Sequence, residues 1–175
     1  MCVALIVTGS PGAGKSSVLE ALTTSLEIAG VEYSAVESEQ LGWGWPWYST
    51  GEWLPQLAAV MSLRRGIGRR VLLVAATTET SAELRAVVEA VGADRTRVVL
   101  LVAAPDVVAA RIDAREPDRW PGKAALIAHA RSLAISMPRE LDGVDARIQT
   151  DGRSAVDVAA EVHAVLAAAL PADGG

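Results

Sequence analysis

The sequence has no phenylalanine, one cysteine and two histidines, and only two of its basic residues, Lys15 and Lys123, are lysines. The lone Cys2 excludes an internal disulfide and any multi-cysteine metal site, and its place before an apolar run reads as a small buried residue. His129 and His163 fall in helical patterns and lack a partner at metal-ligand spacing, so they read as structural. No basic run exceeds two residues and the net charge is −5, which argues against a nucleic-acid backbone as partner. No apolar run approaches the roughly 18 residues that a membrane span needs. The first apolar run also has no basic stretch before it and no small-residue cleavage site after it, as a signal peptide would. These absences predict a cytoplasmic protein that acts on a small molecule.

What the chain does have is alternation. At 175 residues it suits one core, read as a single domain over residues 1–170 with a frayed tail at 171–175. The runs VALIVT (3–8), VLLVAA (71–76) and VVLLVAA (98–104) are apolar without strict alternation, as in strands covered on both faces. Shorter strands are expected at EYSAVE (32–37) and ARIQT (146–150). Between them lie helical patterns, with Leu54, Leu57, Ala58 and Met61 on one stripe and Leu84, Val87, Val88 and Val91 on another. Thr80 with Glu83 and Ser154 with Asp157 are start signals, Pro105 suits a first helical turn, and Gly92 suits a stop. The order βαβαβαβαβα predicts an α/β three-layer sandwich around a parallel sheet.

The first strand runs into Gly9-Ser10-Pro11-Gly12-Ala13-Gly14-Lys15-Ser16, which matches G-x-x-x-x-G-K-[ST] at every fixed position. Chance alone would give such a match in roughly one chain in a hundred of this length. The context is also right, because a buried strand precedes it and a helix from Ser17 to about Ala29 follows. Glycines let successive N–H groups turn inward around an anion at a positive helix end. Lys15 then reaches the β and γ phosphates and the Ser16 hydroxyl can ligate Mg²⁺, so the cofactors expected are ATP and Mg²⁺.

Four segments together resemble the small-molecule kinases of the P-loop superfamily, such as shikimate kinase, gluconate kinase, nucleoside monophosphate kinases and chloramphenicol phosphotransferase. They are the phosphate loop, the acids after the second strand, the stretch Val107 to Arg115 after the fourth, and the turn Thr150-Asp151-Gly152-Arg153-Ser154. The resemblance implies a P-loop NTPase fold with a five-stranded parallel sheet in the order 2-3-1-4-5, a short lid after the fourth strand and an acceptor pocket after the second. It implies that Arg111 packs near the adenine, that Asp151 and Gly152 bound the nucleotide, and that lid arginines, Arg115 and Arg119, close on the transferring phosphoryl group.

A kinase acting on a hydroxyl needs a carboxylate to orient that hydroxyl and take its proton. Glu37 and Glu39 stand at the end of the second strand, where the crevice rule for α/β sheets puts the acceptor. Glu37 is the expected base and Glu39 the second acid, although the resembling families usually have aspartate there. Trp43, Trp45, Trp47 and Trp53 follow. The first three alternate, so an extended segment would present them on one side to an aryl group, a planar base or a sugar face. The end of the third strand reads Ala75-Ala76-Thr77-Thr78-Glu79, without the aspartate that many P-loop proteins use to hold the Mg²⁺ water. Glu79 either replaces it or caps the next helix.

The expectation is an ATP- and Mg²⁺-dependent phosphotransferase acting on a hydroxyl of a small metabolite or natural product, an antibiotic included. A noncatalytic nucleotide-binding regulatory protein is the alternative from another class. A nucleoside or nucleotide kinase ranks third, because an acceptor phosphate needs arginines and only Arg64 and Arg65 are near. Adjacent residues cannot both face one side of a helix.

Overall fold

The computed structural model describes residues 1–171, so most of the expected tail, 172–175, lies outside the described residues. In chain order the elements are β1 (Val3–Thr8), α1 (Lys15–Ile28), β2 (Tyr33–Glu37), α2 (Ser38–Leu41), α3 (Thr50–Gly66), β3 (Val71–Ala75) and α4 (Ser81–Val91). Then come β4 (Arg95–Val102), α5 (Pro105–Arg115), α6 (Lys123–Glu140), β5 (Ala146–Gln149) and α7 (Ala155–Ala167). The five strands form one sheet in the order β2-β3-β1-β4-β5, and every pair is parallel. This is the architecture and strand order expected from the sequence.

Strand alternation sends successive side chains to opposite faces, and the apolar runs fill both. Leu5, Val7, Leu73 and Ala75 pack with Leu22 and Leu26 of α1 and Val158 and Val162 of α7. Ala4, Ile6, Leu72 and Val74 pack on the other face with Leu57 and Met61 of α3, Val87 of α4, and Leu133 and Met137 of α6. β1 is therefore fully buried between two neighbours and two helical layers, and its C-terminal end is the rigid base of whatever follows it.

Local signals place the helix ends. The Thr80 hydroxyl accepts from Glu83 N–H and the Ser154 hydroxyl accepts from Asp157 N–H, so both expected caps form. Gly92, at φ 59, closes α4 in the left-handed region that a side chain would resist. Two features differ from the sequence reading. β4 begins at Arg95 rather than at residue 98, because Arg95, Thr96 and Arg97 pair with Val3, Ala4 and Leu5 despite carrying no apolar signal. A one-turn helix, α2, follows β2 directly, an element that no sequence signal announced.

The stretch between α5 and α6, where the resemblance implies a lid, forms a turn. Lys123 anchors it, donating to the Asp113 carbonyl at 2.8 Å, the Asp113 carboxylate at 2.9 Å and the Asp118 carboxylate at 2.8 Å. Those bonds raise the Lys123 pKa, Asp113 contributing most, so the clamp stays charged through the neutral range.

Candidate active site

The loop after β1 is shaped by close backbone approach. A Cβ on Gly9 would stand 2.8 Å from the Leu101 carbonyl, and one on Gly12, at φ +79, would stand 2.7 Å from the Val108 carbonyl. Gly14, at φ 102, turns the chain into α1. The N–H groups of the first helical turn have no intrahelical acceptors and so remain available to an anion. Lys15 curls over the loop and donates to the Gly9 carbonyl at 3.0 Å and the Ser10 carbonyl at 3.2 Å. Burial pulls its pKa down to about 8, with Glu39 opposing that, Arg115 adding to it and Glu37 opposing it less. Beside this loop lies a cavity of about 410 Å³, within the size range of small-ligand sites.

Arg111 of α5 makes four hydrogen bonds at the back of that cavity. Its Nη1 donates to the carbonyls of Gly12 and Ala13 and to the Thr150 hydroxyl, and its Nη2 donates to the Thr150 carbonyl. It thus ties the phosphate loop to the end of β5. Arg115, one helical turn on, lines the cavity and pairs with Glu116 at 2.8 Å. On the opposite side the Ser16 hydroxyl donates to Glu37 Oε2 at 3.2 Å, and Glu39 lines the cavity itself.

No family model and no curated protein matches the sequence. Solved structures do match. A gluconokinase from Sinorhizobium meliloti is 22% identical, with 95% of this chain and 92% of that one covered at a TM-score of 0.66. Shikimate kinase from Acinetobacter baumannii in complex with shikimate is 17% identical, with 98% and 97% covered at 0.62. The tunicamycin resistance protein of Deinococcus radiodurans is 18% identical, with 94% and 95% covered at 0.64. The fold is that of the P-loop kinases. Within it the residues present fit a magnesium nucleotide. The first-turn N–H groups of α1 have no intrahelical acceptor, and the Ser16 hydroxyl stands beside the Glu37 carboxylate, an oxygen pair of the kind magnesium takes. Among the described residues, Thr77 Oγ1 at the end of β3 is buried without a hydrogen-bond partner.

The P-loop kinase fold brings together most of the residues expected from the sequence. The loop residues Pro11 to Ser17, Arg111, Arg115 and Glu39 all line the cavity, while Gly9 and Ser10 support it from below through their carbonyls. Asp151 and Gly152 do not line it. The Asp151 carboxylate accepts from the Ala104 N–H at the end of β4, and its neighbours Thr150, Arg153, Ser154 and Val158 form the wall instead. These were missed because adjacent turn residues point different ways and a turn motif does not say which. Glu79 does not line the cavity, and α4 is capped by Thr80; the Glu79 carboxylate pairs with His129 of α6 at 2.7 Å.

The tryptophans separate into two groups. Trp53 packs against the core beside Leu57 and Met61. Trp43, Trp45 and Trp47 are 78%, 99% and 59% exposed. Their segment is not extended, because Tyr48 N–H donates back to the Gly42 carbonyl at 3.1 Å and closes it into a loop. Trp47 lies over Gly42, where an added Cβ would meet its Nε1 at 3.0 Å. The Ser49 N–H and hydroxyl both donate to Glu52, which starts α3 and fixes the far end of this aromatic loop.

Proposed function

We propose that the protein is an ATP- and Mg²⁺-dependent phosphotransferase that moves the γ-phosphoryl group to a hydroxyl of a small metabolite or natural product. The observation that carries this reading is that one carboxylate bonds the phosphate-loop hydroxyl while a second lines the cavity beside that loop. Glu37 shares a hydrogen bond with Ser16, and Glu39 lines the cavity with no hydrogen bond of its own among the described residues.

Bound magnesium nucleotide supplies the phosphoryl group and shields its charge. The chain's own residues do the rest. The loop amides and Lys15 hold the polyphosphate, and Arg115, turned from Glu116, stabilises charge on the transferring group. Ser16 and Glu37 offer two hard oxygens side by side, the donor type that magnesium selects. Glu39 is then the group available to orient the acceptor hydroxyl and take its proton. Proximity to the metal-binding hydroxyl weighs Glu37 toward the metal and leaves the base role, which either acid fits by sequence position, to Glu39.

The test is release of ADP from magnesium ATP across sugars, hydroxy acids, nucleosides and aryl-bearing antibiotics, with Lys15→Ala as the blank. Glu39→Gln should abolish transfer with nucleotide binding intact, and Glu37→Gln should raise the Mg²⁺ needed for half-maximal rate. A second reading, a noncatalytic nucleotide sensor, draws on the end of β3, where Glu79 is held by His129 and no aspartate stands. Nucleotide binding that Lys15→Ala removes, with no turnover on any acceptor, would favour it.

A further inference from the structure

The third strand ends without an aspartate, and the nearest acid, Glu79, is drawn off to His129 of α6. Thr77 stands two residues before Glu79. Its hydroxyl is the one buried side-chain polar atom among the described residues that has no hydrogen-bond partner. Such an atom is costly to keep, because it has given up water and received nothing in exchange. Thr78 beside it shows the usual solution: its hydroxyl shares a 2.8 Å hydrogen bond with that of Thr8, and its N–H donates to the Thr8 hydroxyl at 3.3 Å.

Strand register fixes the side on which Thr77 lies. Leu73 and Ala75 of β3 face α1 and α7, while Val74 and Ala76 face α3 and α4. The Ala76 N–H still donates to the Val7 carbonyl, so the pairing with β1 runs past the last residue of β3. Thr78 meets Thr8, the residue after Val7, on the α3 and α4 side. Thr77 therefore lies on the α1 side. On that side Ala75 is aligned with Val7 of β1 and with Glu37 of β2. Thr77 thus stands one step beyond Glu37, at the end of the sheet where the phosphate loop leads into α1. There the Ser16 hydroxyl, in the first turn of α1, donates to the Glu37 carboxylate. Ser16, Glu37 and Thr77 bring side-chain oxygens from three elements to one face at one end of the sheet.

We infer that the Thr77 hydroxyl holds a water of the magnesium ion, the task that falls to a strand-end aspartate in many P-loop proteins; the inference rests on the proposed binding of magnesium nucleotide. Protein-bound magnesium keeps several waters, and these donate, so they need acceptors. A neutral hydroxyl accepts without adding a further negative charge beside Glu37. Oγ1 has no bond to break, so a turn about χ1 that brings it to such a water costs no hydrogen bond, and the residue as a whole is only partly buried.

The test compares wild type with Thr77→Val and Thr77→Ala, which remove the hydroxyl, and with Thr77→Ser, which keeps it. ADP binding is followed by calorimetry in saturating magnesium and in EDTA, and each ligand-free protein is unfolded in urea. Wild type should bind ADP more tightly with magnesium. Thr77→Val and Thr77→Ala should lose about tenfold or more of that affinity in magnesium and nothing in EDTA. Thr77→Ser should keep the magnesium effect. The ligand-free Thr77→Val protein should also have a higher urea midpoint, because an unpaired buried hydroxyl has been removed. Wild-type affinity in magnesium for the variants lacking the hydroxyl overturns the inference, and so does an equal loss in magnesium and EDTA. A wild-type protein whose ADP binding is indifferent to magnesium overturns the magnesium-dependent phosphotransferase reading and this inference with it, an outcome that the variants alone cannot produce.

Discussion

Replacing Lys15 by methionine removes the ammonium and keeps most of the stem's volume, so it isolates the cost of burying that charge. In the protein burial lowers the Lys15 pKa from 10.5 to about 8. The difference corresponds to about 3 kcal/mol against the native state at pH 7, where the buried group is still charged. Between pH 8 and 10.5 the unfolded chain keeps a proton that the native site has released, so raising the pH across this window favours the native state. The cost is present below pH 8 and is gone above 10.5. The assay is chemical denaturation of both proteins without nucleotide from pH 7 to 10.5. Lys15→Met should be the more stable at pH 7 by about 3 kcal/mol, with the gap closing as the pH rises. A constant gap, or a less stable variant at pH 7, would refute the reasoning. The same charge also governs affinity: nucleotide binding to the native protein should weaken by about tenfold from pH 7 to 9, and Lys15→Arg should flatten that slope.

Gly12→Ala should cost about 2–4 kcal/mol of stability and remove nucleotide binding, because its Cβ would meet a backbone carbonyl that cannot move aside. Gly14→Ala is its control, since the nearest atom to an added Cβ there is the Arg111 Nη1 at 3.9 Å, and only the conformational part of the cost remains. Thermal unfolding with and without nucleotide separates the two. Trp45→Ala should leave stability within about 0.5 kcal/mol and raise KM for the acceptor with nucleotide affinity unchanged. Trp53→Ala should instead destabilise by about 3 kcal/mol, since its ring packs on the core.

The sheet was legible because burial on both faces writes itself as unbroken apolar runs, and the phosphate loop because only glycine tolerates its carbonyl contacts. Where pairing rather than burial extends an element, the sequence is silent. Arg95 to Arg97 join β4 through hydrogen bonds to β1, which polar side chains do not announce. The roles of polar residues were legible by neighbourhood and not by direction. The bond from Arg111 to the Gly12 carbonyl joins residues 99 apart in sequence, which no local pattern announces. Asp151 carries the right chemistry for a nucleotide site, yet satisfies the Ala104 N–H instead. The aromatic loop shows the same limit. Alternating indoles imply one face only if the backbone is extended, and the bond from Tyr48 to Gly42 bends it.

The bonds of Arg111 all run toward the phosphate loop and β5, and none reaches β2, α2 or α3. The guanidinium thus braces only the β4–β5 side of β1. In the proposed reaction the side braced by this guanidinium holds the nucleotide, and the other, pinned at its ends by the Ser49–Glu52 cap and the Arg64–Ala35 bond, meets the acceptor. Residues 40–48, between Glu39 and the Ser49–Glu52 cap, can therefore be exchanged as a cassette without loosening the brace. A scaffold divided this way lets new acceptors be selected by loop replacement alone, with the phosphate chemistry inherited intact.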